Sequence, residues 1–333
     1  MILTRTPLRV SLVGGGSDLP AYCNHKTGAV VSFAIDRYMY VAVNQREFCP
    51  PTIRLGYSIT ENVEKPEQLQ HDIAREALIA SDTRSGVEIV SISDVPAGCG
   101  LGSSSAYAVG LLKALNSYNL YIGRASAVFQ DIPRDACTIE IDKCRKPIGR
   151  QDQYASYHGG VNYMEFKGKE VDVQPIELSK ERIAEINQHM LFFRFPRTMT
   201  ANAVLADQQE RNVNNESLID SMVSLALAMK IELPDEGVSI GDIGGLVHRN
   251  WELKKQLSPH IANTDASALY DRAIELGAYG GKLCGAGSGG FLMIFAPPEK
   301  QQAIVNAAHP LFPHLFKIEP KGTQIFAMDG LTI

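Results

Sequence analysis

The residues best suited to chemistry lie in three glycine-rich runs and in a few carboxylates placed between them. The densest run is Pro96-Ala97-Gly98-Cys99-Gly100-Leu101-Gly102-Ser103-Ser104-Ser105. It follows Val87–Ser93, whose β-branched residues predict a strand, and opens Ser103–Tyr118, where Val109, Leu112 and Leu115 mark a helix face. Glycines let a backbone turn tightly and approach a ligand closely. A helix start offers unpaired N–H groups and the positive end of a dipole. Together these favour phosphate oxygens. The serines add hydroxyls for phosphate or for Mg²⁺, a hard cation that prefers oxygen. An ordinary strand–helix turn capped by Ser103 would need fewer glycines and one serine.

The other two runs are Gly14-Gly15-Gly16 and Gly285-Ala286-Gly287-Ser288-Gly289-Gly290. The first, with Asp36 further on, superficially matches a dinucleotide-binding turn, but Leu19 and Pro20 stand where a third glycine and a helix entry belong. No Gly-Lys-Ser or Gly-Lys-Thr is present, so the phosphate loop is not of the Walker type. No His-Arg-Asp or Asp-Phe-Gly is present either, which removes the protein-kinase pattern.

The elements that must position these residues follow from periodicity. Strands are predicted at Arg9–Val13, Ala29–Ile35, Tyr38–Gln45, Ile53–Tyr57 and Val161–Phe166. The second and third read as a hairpin turning at Asp36-Arg37. Helices are predicted at Pro66–Ala80 and Arg134–Lys143. Past 174–180 the pattern becomes helix-rich, which places a domain boundary there and divides the chain into 1–178 and 179–333. The second half reads as strand Met190–Phe195, helices Ala201–Ile231, Gly241–Leu257 and Asp265–Leu276, then strands Phe291–Ala296, His314–Ile318 and Thr323–Met328. Sheet and helix segregate, so the class is α+β.

Composition narrows the function. The 333 residues exceed one compact core, which predicts two domains sharing a cleft. A net charge of −5 without a basic block argues against nucleic acid or a membrane surface as partner. The apolar runs are too short for a membrane span, and Met1–Pro7 lacks the apolar core of a signal peptide. The six cysteines form no metal-binding spacing and read as free thiols of a cytoplasmic protein. Oligomeric state is not legible.

Three runs in this order resemble the motifs of the GHMP kinase superfamily. They are Thr6–Asp18, with Gly14-Gly15-Gly16-Ser17-Asp18; Pro96–Ala106; and Lys282–Gly290. The resemblance implies an N-terminal domain with a left-handed βαβ unit, a ferredoxin-like C-terminal domain, and ATP as phosphoryl donor. The segments Ile139-Glu140-Ile141-Asp142 and Pro147–Ala155 resemble the heptose 7-phosphate kinase branch and, in part, L-fucokinase-like enzymes. Galactokinases carry Gly-Glu-His at Gly14–Gly16, which puts galactose in doubt.

The resemblance also implies roles. Asp152 matches a catalytic aspartate for the attacking hydroxyl, and Arg9 a cation beside it that stabilises charge on the transferred phosphoryl. Glu140 and Ser104 match the Mg²⁺ ligands. Pro96, Gly98, Gly100, Leu101, Gly102, Ser103, Ser104 and Ser105 would hold the nucleotide. Gly15, Gly16, Ser17, Asp18, Gln151, Gly285 and Gly287 would meet the small-molecule sugar or sugar phosphate. Cations for a distal phosphate are Arg197, Lys282 and the cluster Arg145, Lys146 and Arg150. The implied reaction is phosphorylation of the anomeric hydroxyl of D-glycero-α-D-manno-heptose 7-phosphate. A kinase of an unphosphorylated sugar and a silent sensor on the same fold remain the alternatives.

Overall fold

β1 (Ile2–Val13) begins well before the predicted Arg9 and pairs antiparallel with β2 (Gly28–Gln45). The computed structural model describes residues 1–48, 50–123, 128–211 and 215–327. The hairpin predicted at Asp36-Arg37 is corrected, because both halves of β2 pair with β1 and form one 18-residue strand. The register slips between Pro7 and Leu8, which face Tyr38 and Ile35, so Asp36 and Arg37 bulge out. The returning chain holds the bulge. Asp36 N–H donates to Lys317 O at 3.0 Å, and Lys317 N–H donates to Asp36 Oδ1 at 2.9 Å.

Six more strands complete an eight-stranded sheet. They are β3 (Ile53–Gly56), β4 (Thr60–Val63), β5 (Val87–Ser93), β6 (Val161–Lys167), β7 (Glu170–Pro175) and the last strand of the chain, β12 (Gln324–Ala327). The order is β12-β1-β2-β5-β3-β4, with β6 joined to the first half of β2 and β7 joined to β6. The helices of this half are α1 (Pro20–Cys23), α2 (Asp72–Ala80), α3 (Ser103–Tyr121), α4 (Ile132–Cys137) and α5 (Gln151–His158). α3 packs on β1 and β2, with α4 and α5 beside it.

Two predicted helices are corrected here. Pro66–Gln68 is only a 3-10 turn, and α2 begins at Asp72. Glu61 accepts the N–H groups of Gln70 and His71 at 2.7 and 3.2 Å, which holds those residues outside the helix. The helix predicted at Arg134–Lys143 starts at Ile132 and widens into a π-helical turn over Thr138–Lys143.

α6 (Lys180–His189) leads to β8 (Met190–Phe195). The second sheet has the order β11-β8-β10-β9, using β9 (Gly280–Leu283), β10 (Gly290–Phe295) and β11 (Pro313–His314), all antiparallel. Between β8 and β9 run α7 (Ala201–Arg211), α8 (Glu216–Glu232), α9 (Ile240–Leu257) and α10 (Thr264–Glu275). α11 (Pro298–Ala307) connects β10 to β11. This is the βαββαβ pattern of a ferredoxin-like unit. The single helix predicted over 201–231 is two helices, with residues 212–214 outside the described residues. The strand predicted at His314–Ile318 is short because Ile318 leaves to bridge Ile35 in the other sheet. Met328 and Cys49 lie outside the described residues.

One apolar cluster joins the halves. It contains Leu8, Val10 and Phe33 from the first sheet and Phe192, Phe291, Met293 and Ile243 from the second unit. Burying each such side chain contributes about 1.5–3 kcal/mol. The cleft between the sheets therefore rests on a shared floor, and the three glycine runs meet along it.

Candidate active site

β5 delivers the loop 94–102, and α3 starts directly after it. Gly102 is the N-cap, with φ 74°, and no side chain caps the helix. Leu101 O accepts from Arg9 N–H at 3.1 Å, which ties the loop to β1. The third glycine run lies against the second. A Cβ on Gly100 would stand 2.3 Å from Cys284 O, and one on Gly285 would stand 2.7 Å from Gly100 Cα. Only residues without a side chain allow this approach.

Arg9 is 4% exposed and forks onto Asp152 at the start of α5. Its Nε donates to Oδ1 at 2.7 Å and its Nη2 to Oδ2 at 2.6 Å, while Nη1 donates to Gly100 O at 2.9 Å. The guanidinium thus links the aspartate to the phosphate loop through a bidentate pair.

Glu140, fully buried in the π-helical turn, accepts from Ser104 Oγ and from Gln153 Nε2, both at 2.7 Å. Lys146 Nζ lies 3.8 Å from the same carboxylate and donates to Ser104 Oγ at 3.2 Å. Burial pushes the Glu140 carboxyl above its ordinary range, and Lys146 and the bonds from Ser105, Ser104 and Gln153 pull it back. One carboxylate with one hydroxyl beside a phosphate loop is a donor set that fits Mg²⁺, which keeps waters and phosphate oxygens in its shell. Among the described residues no group of three or more His, Cys, Asp or Glu could enclose a metal alone.

Asp18, 1% exposed, accepts from Gly16 N–H at 3.0 Å, from Gln151 N–H at 3.3 Å and from Gln151 Nε2 at 3.0 Å. Gly149 makes room for it, since a Cβ there would stand 1.8 Å from Asp18 Oδ2. These groups open on one cavity of about 320 Å³. Arg9, Gly15, Gly16, Asp18, Gly98, Gly100, Gly102, Ser103, Ser104, Ser105, Glu140, Gln151, Asp152, Arg197 and Gly285 all line it. A neighbouring open groove of about 500 Å³ shares Gly98, Ser103, Ser104 and Lys146 with the cavity. Tyr57, His71, Ile92 and Tyr107 line its outer part.

Several residues singled out in the sequence lie elsewhere. Lys282 does not reach the cavity: it is fully buried and donates to Ser11 O at 2.7 Å and Ser11 Oγ at 3.1 Å. Burial holds its ammonium far below the ordinary lysine range. Ser17 is spent on the backbone, donating to Gly14 O at 2.8 Å. Gly287 packs on Ile261, and Pro96 and Leu101 do not line the cavity. Of the basic cluster, Arg145 is exposed and Arg150 is buried against Gly168 O at 2.8 Å. Lys146 turns to Ser104 and Glu140 instead.

Gln208 on α7 and Lys254 on α9 also line the cavity and carry no sequence motif. A signal for Lys254 was available. It falls in register with Val247, Asn250, Trp251 and Leu257 on the buried face of a helix whose span was predicted. A lysine in that stripe demands a reason.

This fold and this constellation define a phosphotransferase built on a glycine- and serine-rich loop. Residues 69–160 match the model of the GHMP kinases N terminal domain, and residues 238–313 match that of the GHMP kinases C terminal domain. The D-glycero-alpha-D-manno-heptose 7-phosphate kinase of Campylobacter jejuni is 30% identical over 92% of each chain. The bifunctional fucokinase/GDP-fucose pyrophosphorylase of Arabidopsis thaliana is 25% identical over 87% of this chain and 29% of its own length. Among solved structures, a D-glycero-D-manno-heptose 1-phosphate kinase from Bacteroides thetaiotaomicron superposes with a TM-score of 0.76 at 21% identity, covering 99% of this chain and 100% of the other. The chain belongs to the GHMP kinases, ATP-dependent enzymes, and is a sugar kinase of that family. No helix among the described residues is long and apolar enough to cross a membrane.

Proposed function

We propose that this sugar kinase transfers the γ-phosphoryl group of ATP to the anomeric hydroxyl of D-glycero-α-D-manno-heptose 7-phosphate, giving the 1,7-bisphosphate. The observation that carries this reading is the Arg9–Asp152 fork. It stands in one cavity between the phosphate loop and the Asp18 pocket. The heptose 7-phosphate relative supports the choice of acceptor.

In this reading the adenosine lies in the groove of Tyr57, His71 and Tyr107, and the phosphates cross the start of α3. Asp18 and Gln151 orient the sugar hydroxyls. Asp152 takes the proton of the attacking hydroxyl as the new O–P bond forms and the β,γ-bridging O–P bond breaks. Arg9 bridges aspartate and loop, so its charge stays beside the phosphoryl group in flight. Ser104 and Glu140 would hold Mg²⁺, which would supply charge neutralisation on the nucleotide phosphates.

The test is ADP release with ATP–Mg²⁺ over matched acceptors: the heptose 7-phosphate, the unphosphorylated heptose, L-fucose and D-galactose. The reading requires a kcat/KM for the phosphorylated heptose well above the rest. Equal or better turnover of an unphosphorylated sugar overturns it.

A further inference from the structure

Lys254 is 4% exposed and lines the cavity, and among the described residues its ammonium has one hydrogen-bond partner, Gly285 O, to which Nζ donates at 2.8 Å. Among the described residues no carboxylate lies within 4.0 Å of its ammonium; Asp18 acts on it only at longer range. A buried ammonium with a single neutral acceptor is costly to hold, and an anion entering the cavity offsets that cost.

Gln208 lines the same cavity. It is 1% exposed, and its Nε2 donor has no partner among the described residues. That nitrogen lies 2.4 Å from where a Cβ of Gly16 would stand, so it borders the Asp18 loop. Lys254 and Gln208 thus both present donors to the cavity, Gln208 beside the Asp18 loop and Lys254 beside Gly285 O. Asp18, the carboxylate of that loop, already accepts three bonds from Gly16 and Gln151.

Arg197 is a further cation of the cavity. Among the described residues its buried Nε and Nη1 have no partner, and its Nη2 comes 3.2 Å from the place of a Cβ on Gly100, in the phosphate loop.

We propose that Lys254 and Gln208 form a subsite for the acceptor's own phosphate group, so that the enzyme selects sugar monophosphates over neutral sugars. The proposal rests on the sugar-kinase reading above, and names the residues that read the acceptor's charge. The shared chemistry is a phosphate anion, and its two sources here are the acceptor and the nucleotide.

The experiment is calorimetric titration of the full chain and of Lys254→Met and Gln208→Leu variants, with circular dichroism to verify folding. The probes are heptose 7-phosphate, the unphosphorylated heptose, ATP–Mg²⁺ and inorganic phosphate. Loss of one charged hydrogen bond predicts roughly 10- to 100-fold weaker binding of heptose 7-phosphate to Lys254→Met. Gln208→Leu should show a smaller loss in the same direction, and it carries the test if Lys254→Met does not fold. ATP and the unphosphorylated heptose should bind both variants as they bind the unchanged chain. Equal weakening of the two heptoses would mean that the lysine meets hydroxyls, and overturns the proposal. Weakening of ATP would assign the lysine to the nucleotide and overturns it too. If the unchanged chain ignores heptose 7-phosphate, the function proposed above fails. Inorganic phosphate binding that depends on Lys254 would then uphold the subsite, and its absence would overturn that as well.

Discussion

Arg9 holds both oxygens of Asp152, at 2.7 and 2.6 Å, and holds Gly100 O with its third nitrogen at 2.9 Å. The catalytic assignment of the aspartate and the shape of the phosphate loop are therefore coupled through one guanidinium. Replacing Asp152 by Ala would leave a buried Arg9 short of its counter-ion and cost about 3 kcal/mol of stability. Asp152→Asn is the cleaner probe. Its kcat should fall about 10²–10⁴-fold, with ATP affinity nearly unchanged. Steady-state ADP release and nucleotide titration check both halves.

Arg9→Lys separates charge from geometry. Lysine keeps the positive charge but cannot fork onto a carboxylate. Turnover should fall while the fold persists, and both should be followed by ADP release and thermal melting. An Arg9→Lys enzyme with full turnover would mean that only the charge matters.

Glu140 is fully buried with partners on both oxygens. Glu140→Gln preserves the shape and removes the charge. The Mg²⁺ concentration giving half-maximal turnover should rise, with a smaller effect on acceptor KM. Glu140→Ala should also lose about 1–3 kcal/mol of stability, because Gln153 and Ser104 lose their acceptor. Mg²⁺ titrations and melting curves distinguish the two effects.

The pH dependence follows from Lys254. Burial pushes its ammonium down to about 8, with Asp18 opposing the shift and Arg9 adding to it. Asp152, Cys284 and Lys282 also face it, and burial keeps the Cys284 thiol protonated to higher pH than usual. A lowered lysine value means that the charge is present below about 8 and lost above it. The KM for a phosphorylated acceptor should therefore climb above that pH, approaching ~10-fold per unit. Lys254→Met should abolish the climb. A KM that stays flat from pH 7 to 9.5 in the unchanged chain would contradict the assignment.

Local chemistry was the part most legible in the sequence. Val87–Ser93 and Met190–Phe195 carry their own β pattern and were predicted to the residue. The phosphate loop announced itself because glycines and serines at that density have few other uses. The Asp36-Arg37 bulge was misread because a polar pair in a strand looks like a turn. What holds it is Lys317, far along the chain. The break before α2 depends on Glu61 reaching back to Gln70 and His71, another contact between separate segments. The same limit applied to the site. Lys282 opens a motif yet turns to Ser11, whereas Lys254 has no motif and lines the cavity. A charged residue beside a functional loop is weaker evidence than a charged residue in a buried stripe.

The central claim is that the cavity brings ATP and a phosphorylated heptose together at Asp152. Phosphorus NMR of the enzyme with ATP–Mg²⁺ and heptose 7-phosphate tests it most directly. The account predicts one new anomeric phosphate ester signal that grows in step with ADP, retains the 7-phosphate signal and fails to appear with Asp152→Asn. ADP formation without that ester, or the same ester at the same rate from Asp152→Asn, would contradict it.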